Sequence, residues 1–178
     1  MRKKKERSMS ILVLGMGNVL RGDDGIGVHA MRRLADEPPE GVHFLELGTS
    51  LADSFFVLER YAHVVALDAV AGGEAPGTLY WLSREDFAGL AEQRLSLHDG
   101  DLLEALDLAA LRGFRPKLAV AGMEPLRVND WSLELSAPVR AAFPAYLDMV
   151  RTHLGELAER EEREERHRGA APGPRRGR

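Results

Sequence analysis

The sequence predicts an α/β fold, a three-layer sandwich whose twisted, mostly parallel five-stranded sheet has one antiparallel strand at its edge. Short apolar runs alternate with segments of helical periodicity, which is typical of parallel sheets covered by helices on both faces. The connection 72–77 is too short for a parallel crossover, so the strand that follows it should run antiparallel to the others. These two observations fix the fold class.

The first half of the chain contains three predicted strands, Ile11–Leu14, Val42–Leu47 and His63–Val70. The third is rich in Val and apolar on both faces, as a central parallel strand should be. Apolar residues recur at mostly helical spacing from Ile26 to Ala35, which predicts the first helix. Ser50 and Asp53 resemble a capping box that opens a helix through Tyr61.

The second half begins with the antiparallel edge strand, Thr78–Leu82, and a helix capped by Ser83. The later predicted elements are a loop Ser96-Leu97-His98-Asp99-Gly100, a helix at about Leu102–Leu111, a buried strand Lys117–Gly122 and a long helix after Ser136. Pro138 suits the first turn of that last helix, and Pro144 predicts a kink in it.

The length of 178 residues and the 44% hydrophobic content favour one folded domain, at residues 9–155. Residues 1–8 form a basic extension predicted to be disordered. Residues 156–178 combine a charged helix end with a disordered Gly/Pro/Arg tail; Glu159/Arg163, Glu162/Arg166 and Glu164/Arg168 have the i,i+4 spacing of helical ion pairs.

The basic start followed by an apolar run superficially resembles a secretory signal. Two glycines and Asn18 interrupt that run, which leads into Arg21-Gly22-Asp23-Asp24, so a buried first strand is the better interpretation. No apolar run approaches the roughly 20 residues that span a bilayer. We expect a cytoplasmic protein without membrane insertion.

Charge and cysteine content exclude several classes of function. The net charge is −4; five basic residues and one acidic residue lie in 1–8, and seven basic and six acidic residues lie in 156–178, which leaves −9 for the body. An acidic body argues against a nucleic-acid binder. With no cysteine, the chain has no disulfide, thiolate zinc site or cysteine nucleophile. Any metal must be held by His, Asp, Glu or the backbone.

A glycine loop, Gly15-Met16-Gly17-Asn18-Val19-Leu20, joins the first strand to the first helix. It departs from the dinucleotide fingerprint because Leu20 stands where the third glycine belongs. The loop continues into Asp23 and Asp24, two carboxylates where a phosphate would have to bind, and like charges there oppose one another. Taken alone, these two aspartates are also explained as helix-capping residues.

Three side chains should meet at the carboxyl edge of the sheet. Asp68 ends an otherwise apolar strand, where a carboxylate needs a partner or a metal. His98 lies in a loop before a helix; a lone loop histidine usually has no special role. Together with Asp24 they give two carboxylates and one imidazole, a donor set that suits a borderline divalent cation such as nickel or zinc and leaves coordination positions open.

These residues resemble the hydrogenase maturation protease family, the endopeptidases that process the large subunit of nickel–iron hydrogenases. The resemblance covers roughly residues 10–153 and is carried by Ile11 to Val28, Gly48-Thr49, Leu67-Asp68-Ala69, Pro76-Gly77-Thr78, Ser96-x-His98 and Ser136-Ala137-Pro138, in the family's order. At Met123-Glu124-Pro125 the chain departs from the arrangement common in the family, so no role is assigned to these residues.

The resemblance implies that Asp24, Asp68 and His98 are the catalytic residues and occupy the nickel-ligand positions. Asp24 stands where some relatives have Glu, which keeps the charge but shortens the reach. The nickel is carried by the substrate rather than permanently bound, and zinc or another divalent ion is an adventitious occupant. The residues implied to hold the substrate strand are Gly15, Gly17, Asn18, Gly48 and Thr49.

The implied partner is the precursor of the hydrogenase large subunit, from which a short C-terminal extension is removed. Either the metal polarises the scissile carbonyl or orients water, or a carboxylate acts as general base, as in an aspartyl protease. A nucleotide-dependent oxidoreductase that uses the glycine loop, and a nickel-sensing chaperone that does not cut, remain alternatives. The sequence contains neither a His-Glu-x-x-His nor a Gly-x-Ser-x-Gly motif.

Overall fold

The apolar runs of the sequence form the strands of one sheet. The computed structural model describes residues 11–49, 55–93 and 99–169, and within these ranges it contains five strands. They are β1 (Ile11–Met16), β2 (Val42–Gly48), β3 (His63–Ala69), β4 (Leu79–Ser83) and β5 (Lys117–Met123).

The strand order is β2-β1-β3-β5-β4. All neighbouring pairs are parallel except β4 with β5, which is antiparallel. The Val-rich strand β3 lies at the centre and is buried along most of its length, whereas β4 lies at an edge. The predicted fold class is therefore confirmed, including the antiparallel edge strand that follows the short connection.

Helices cover both faces of this sheet. They are α1 (Ile26–Ala35), α2 (Phe55–Leu58), α3 (Arg84–Gln93), α4 (Asp99–Leu111) and α5 (Ala137–Gly169), and a 3₁₀ turn at Gly22–Gly25 precedes α1. Because successive side chains of a strand point to opposite faces, Val13 of β1 packs with α1 and α5, and Leu14 packs with α2, α3 and α4. The result is three layers with a separate apolar core on each side of the sheet.

Local capping explains where α3 begins. The Asp86 backbone N–H donates to Ser83 Oγ at 3.2 Å, and the Ser83 backbone N–H donates to the Asp86 carboxylate at 3.2 Å. The predicted Ser83 cap is thus confirmed as a reciprocal capping box. The helix predicted to run through Tyr61 ends instead at Leu58, where the chain makes turns that close on Val57 and Leu58. The proposed cap of that helix, Ser50 with Asp53, lies outside the described residues.

Helix α5 is the longest element and runs through Pro144 without ending. Two of the predicted i,i+4 ion pairs form along it, Arg163 with Glu159 and Arg166 with Glu162, each at 3.6 Å. Residues 1–10 and 170–178, which include the predicted basic extension and the Gly/Pro/Arg tail, lie outside the described residues. Among the helices that the structure describes, none is both long enough and apolar enough to cross a membrane.

Candidate functional site

Asp24 and Asp68, the two aspartates among the three predicted site residues, lie next to one glycine at the carboxyl edge of the sheet. Asp68 is the next-to-last residue of β3 and is buried, and Asp24 lies in the 3₁₀ turn before α1. A Cβ atom added to Gly17, just after β1, would lie 1.8 Å from the Asp24 carbonyl oxygen and 3.6 Å from Asp68 Oδ1. Gly17 also has a φ of +98°, so only glycine fits there.

Close packing of α1 on the strand ends places these two residues at the same edge of the sheet. A Cβ atom on Gly27, in the first turn of α1, would lie 1.9 Å from the Leu67 carbonyl oxygen and 2.7 Å from that of Met16. The helix therefore starts in direct contact with the ends of β3 and β1. Asp24 is held beside Asp68 because glycine at position 27 permits this approach.

The glycine loop is closed by its own polar groups. The Asn18 backbone N–H donates to Asp24 Oδ2 at 2.9 Å, and the Leu20 N–H donates to Asn18 Oδ1 at 2.9 Å. A dinucleotide-binding loop would offer such an amide to a phosphate; here the Asp24 carboxylate takes it. This geometry disfavours the oxidoreductase alternative.

The helix-capping interpretation of Asp23 and Asp24 is wrong. The residue before α1 is Gly25, and no side chain caps that helix or the 3₁₀ turn within the described residues. Asp23 is buried and instead accepts three backbone N–H groups from a distant segment: Leu126 at 3.0 Å, Arg127 at 3.2 Å and Ser136 at 2.7 Å. Asp23 is thus a structural anchor, whereas Asp24 faces the site.

Asp68 is oriented by its surroundings. The Ala69 backbone N–H donates to Asp68 Oδ1 at 2.8 Å. The buried Tyr146 hydroxyl of α5 donates to the Ala121 carbonyl oxygen of β5 at 2.5 Å. Burial, and then the negative charge of Asp68, raise the pKa of the Tyr146 phenol, so it stays protonated as a donor. Asp68 therefore lies near a tyrosine whose hydroxyl is held in place by a hydrogen bond.

The residues implied to hold the substrate strand differ in position. The Gly17 N–H donates to the Gly48 carbonyl oxygen at 2.9 Å, so the loops after β1 and β2 meet beside the carboxylates, with Thr49 exposed next to them. Gly15 lies within β1, and a Cβ atom there would come 2.7 Å from the Met31 Cβ of α1. The Gly15 position therefore permits helix packing. The substrate role of these residues stays a prediction.

Glu124 is a structurally important residue that the sequence did not reveal. It follows β5, is buried, and its Oε2 accepts the N–H groups of Gly72 at 2.7 Å and Gly73 at 3.0 Å and the Tyr80 hydroxyl at 2.5 Å. Burial and this carboxylate raise the pKa of the Tyr80 phenol, which keeps it a donor. A lone charged residue directly after an apolar strand was the available signal.

The third predicted ligand, His98, lies outside the described residues. No group of three His, Cys, Asp or Glu side chains that could hold a metal ion occurs within residues 11–49, 55–93 and 99–169. The structure therefore brings together Asp24 and Asp68, and the place of His98 beside them stays a prediction.

Comparisons with known proteins identify relatives of this chain in sequence and in fold. The sequence model of the hydrogenase maturation protease family, HycI, matches residues 28–153, a span that includes Asp68 and His98 and starts four residues after Asp24. The hydrogenase expression/formation protein HupD of Rhizobium leguminosarum bv. viciae is 33% identical over 144 residues, which cover 78% of this chain and 70% of HupD.

The hydrogenase 2 maturation protease of Escherichia coli K12 is 30% identical over 152 residues, which cover 83% of this chain and 92% of that protein. The solved structure of the hydrogenase maturating endopeptidase HybD from E. coli superimposes with a TM-score of 0.77 at 30% identity, over 83% of this chain and 93% of HybD. With sequence and fold in agreement over most of its length, the chain belongs to the hydrogenase maturation protease family and is a peptidase.

Proposed function

We propose that this endopeptidase removes the C-terminal extension of an immature nickel–iron hydrogenase large subunit after nickel insertion, and that it recognises the bound nickel. The observation that supports this most is the convergence of Asp24 and Asp68 on Gly17 at the carboxyl edge of the sheet. Ligands of open α/β sheets bind at this edge. Membership of a protease family supplies the reaction class.

The donor set suits a metal that arrives with its own ligands. Asp24 and Asp68 offer carboxylate oxygens, and His98 is proposed to add an imidazole nitrogen. Nickel accepts such mixed donors, and three protein ligands leave positions for those of the substrate. We therefore treat nickel as cargo of the precursor, and zinc or another divalent ion as an adventitious occupant.

Both carboxylates are oriented before substrate binds. Asp24 Oδ2 accepts the Asn18 N–H, and Asp68 Oδ1 accepts the Ala69 N–H, so neither side chain has to be ordered during the reaction. Two catalytic routes use this arrangement. The nickel polarises the scissile carbonyl or orients water, or one carboxylate takes a proton from the attacking water and returns it to the leaving amine.

The loops beside the carboxylates are proposed to hold the extended substrate strand. The Gly17 N–H to Gly48 carbonyl bond joins them, and Asn18 and Thr49 border the site. Because Gly17 has no side chain, the backbone of Asp24 packs directly against these loops.

Incubation with a nickel-loaded large-subunit precursor, followed by mass spectrometry of the precursor, tests the proposal. We expect one cut that removes the C-terminal extension. A precursor prepared without nickel should stay intact, because the enzyme then lacks the metal it recognises. An unchanged mass of the nickel-loaded precursor would contradict the peptidase assignment, and equal cutting of both precursors would contradict nickel recognition.

The Asp68→Asn variant tests the site. Asn keeps the shape of the side chain but removes the charge needed for metal binding or proton transfer, so we expect processing to slow by about 10³-fold or more. The matched control is Asp148→Asn, an exposed residue of α5, which should process at the wild-type rate. Processing by Asp68→Asn at the wild-type rate would remove Asp68 from the site.

A further inference from the structure

An exposed apolar surface lies beside the loop that carries Asp24. It consists of Leu20, Leu126, Trp131 and Leu133, here called the Trp131 face; Trp131 is 77% exposed and Leu133 is 71% exposed. Single exposed apolar residues are common, but a group of large ones around one loop marks an interaction site.

The Trp131 face is firmly attached to the body of the protein. Arg21 and Ser132 form an isolated parallel β-bridge, in which the Ser132 N–H donates to the Leu20 carbonyl oxygen at 3.0 Å and the Gly22 N–H donates to the Ser132 carbonyl oxygen at 2.7 Å. The Asp23 carboxylate binds the same segment on both sides, at Leu126 and at Ser136. The exposed side chains are therefore presented by an ordered backbone, which reduces the entropy lost on binding.

A short chain of hydrogen bonds connects this face to the site. Ser132 binds the Leu20 carbonyl, the Leu20 N–H binds the Asn18 side chain, and the Asn18 N–H binds Asp24. The segment that carries the Trp131 face is therefore joined directly to the loop that carries Asp24.

The composition and shape of the face are those of a protein-binding surface. The Arg21 guanidinium lies 5.8 Å from the centre of the Trp131 ring, and Trp and Arg are the residue types that contribute most to protein interfaces. Leu133 also borders a groove of about 570 Å³ between α1 and α5, lined by His29, Arg32, Arg140 and Phe143 among others. A protruding aromatic residue beside a groove can be matched by a folded partner.

We propose that the Trp131 face binds the folded body of the hydrogenase large-subunit precursor while the C-terminal extension of the precursor reaches Asp24 and Asp68. This inference rests on the proposed function and adds where the substrate is held. A second copy of the chain is a less suitable occupant, because a partner seated on Trp131 and Leu20 would also cover the loop of Asp24 and block the site.

Binding measurements with a chain that does not cut test this surface independently of the reaction. The parent is Asp68→Asn, and the probe is the nickel-loaded large-subunit precursor, titrated by calorimetry. Adding Trp131→Ala or Leu133→Ala should weaken the Kd about tenfold or more, since hot-spot truncations of exposed aromatic and apolar anchors reach this size. The matched control is Leu111→Ala, a residue 86% exposed at the end of α4, next to the opposite edge of the sheet. The Leu111→Ala substitution should leave the Kd within twofold of the value for the Asp68→Asn parent.

Two results would overturn the docking surface. One is a Kd within twofold of the parent for both the Trp131→Ala and Leu133→Ala chains. The other is a wild-type dimer in sedimentation that Trp131→Ala converts to a monomer, which would assign the face to a second copy. Failure of the proposed function appears separately, as an uncut precursor in the wild-type assay.

Discussion

Adjacent carboxylates at positions 23 and 24 have different tasks. Asp23 is buried and binds three backbone amides, whereas Asp24 is partly exposed and lies beside Gly17 and Asp68. The residue type is identical, and the family resemblance named only Asp24 as a site residue. The anchoring role of Asp23 becomes visible only in the fold.

Replacing Asp23 with Ala should destabilise the protein strongly. Three buried N–H groups would lose a charged acceptor, so we expect the free energy of unfolding to fall by about 3 to 4 kcal/mol in urea titrations. Asp130→Ala is the matched control, because Asp130 is exposed and its ion pair with Arg127 lies at the surface; its effect should stay within about 0.5 kcal/mol. Equal effects of the two substitutions would contradict the anchoring role.

At the scale of elements, Glu124 fixes the connection between β3 and β4. Its carboxylate accepts hydrogen bonds from the N–H groups of Gly72 and Gly73, which follow β3, and from the Tyr80 hydroxyl of β4. Because Glu124 itself follows β5, these bonds link β3, β4 and β5. The backbone of Glu124 adds a further link, because its N–H donates to the Thr78 carbonyl oxygen at 2.8 Å. The edge strand and the site strand are thus held by one residue.

Substitutions that remove the hydrogen bonds of Glu124 should lower the free energy of unfolding in proportion to the number of bonds lost. Glu124→Ala leaves three donors without their acceptor and should lower the free energy of unfolding by about 3 kcal/mol, whereas Tyr80→Phe removes one donor and should lower it by about 1 kcal/mol. Tyr61→Phe, which removes a hydrogen bond to His43 near the surface, should change it by less than about 0.5 kcal/mol. An effect of Tyr80→Phe no larger than that of Tyr61→Phe would show that the Tyr80–Glu124 hydrogen bond does not stabilise the fold.

The sequence predicted the elements better than their long-range partners. Periodicity and capping are local, so β3, the edge strand and the Ser83 cap followed from neighbouring residues. Asp68 was also predictable, because a carboxylate at the end of an apolar strand stands out. The partners of Asp23 lie 103 to 113 residues away, and no local pattern identifies them. The anchoring of Glu124 was missed for the same reason.

At the scale of the whole molecule, His29 should make stability depend on pH. Burial, aided by the positive charge of Arg32 and opposed by Glu46, lowers the pKa of the His29 imidazole below its usual 6.5. The unfolded chain therefore takes up this proton at a higher pH than the folded chain. The contribution of His29 to stability is fully present above about pH 6.5 and is lost as the pH falls toward the lowered pKa.

Urea unfolding at about pH 7 and pH 5 measures this effect. The His29→Gln variant should lose less stability between the two pH values than the wild type. His167→Gln is the control, because His167 is exposed near the end of α5 and folding changes its surroundings little. A pH dependence of His29→Gln equal to that of the wild type would show that burial of this imidazole does not matter.

The contacts of Asp23 also set an order of assembly. The loop of Asp24 lies near the amino end of the chain. Asp23, which anchors this loop, binds backbone N–H groups as far along the chain as Ser136. A nascent chain that has emerged from the ribosome only as far as β3 contains Asp24 and Asp68 but lacks the segment that Asp23 binds. Forming contacts across so long a stretch of chain is also slow. Proteolytic competence therefore arises after synthesis of most of the domain, so unfinished chains carry the carboxylates without a finished site.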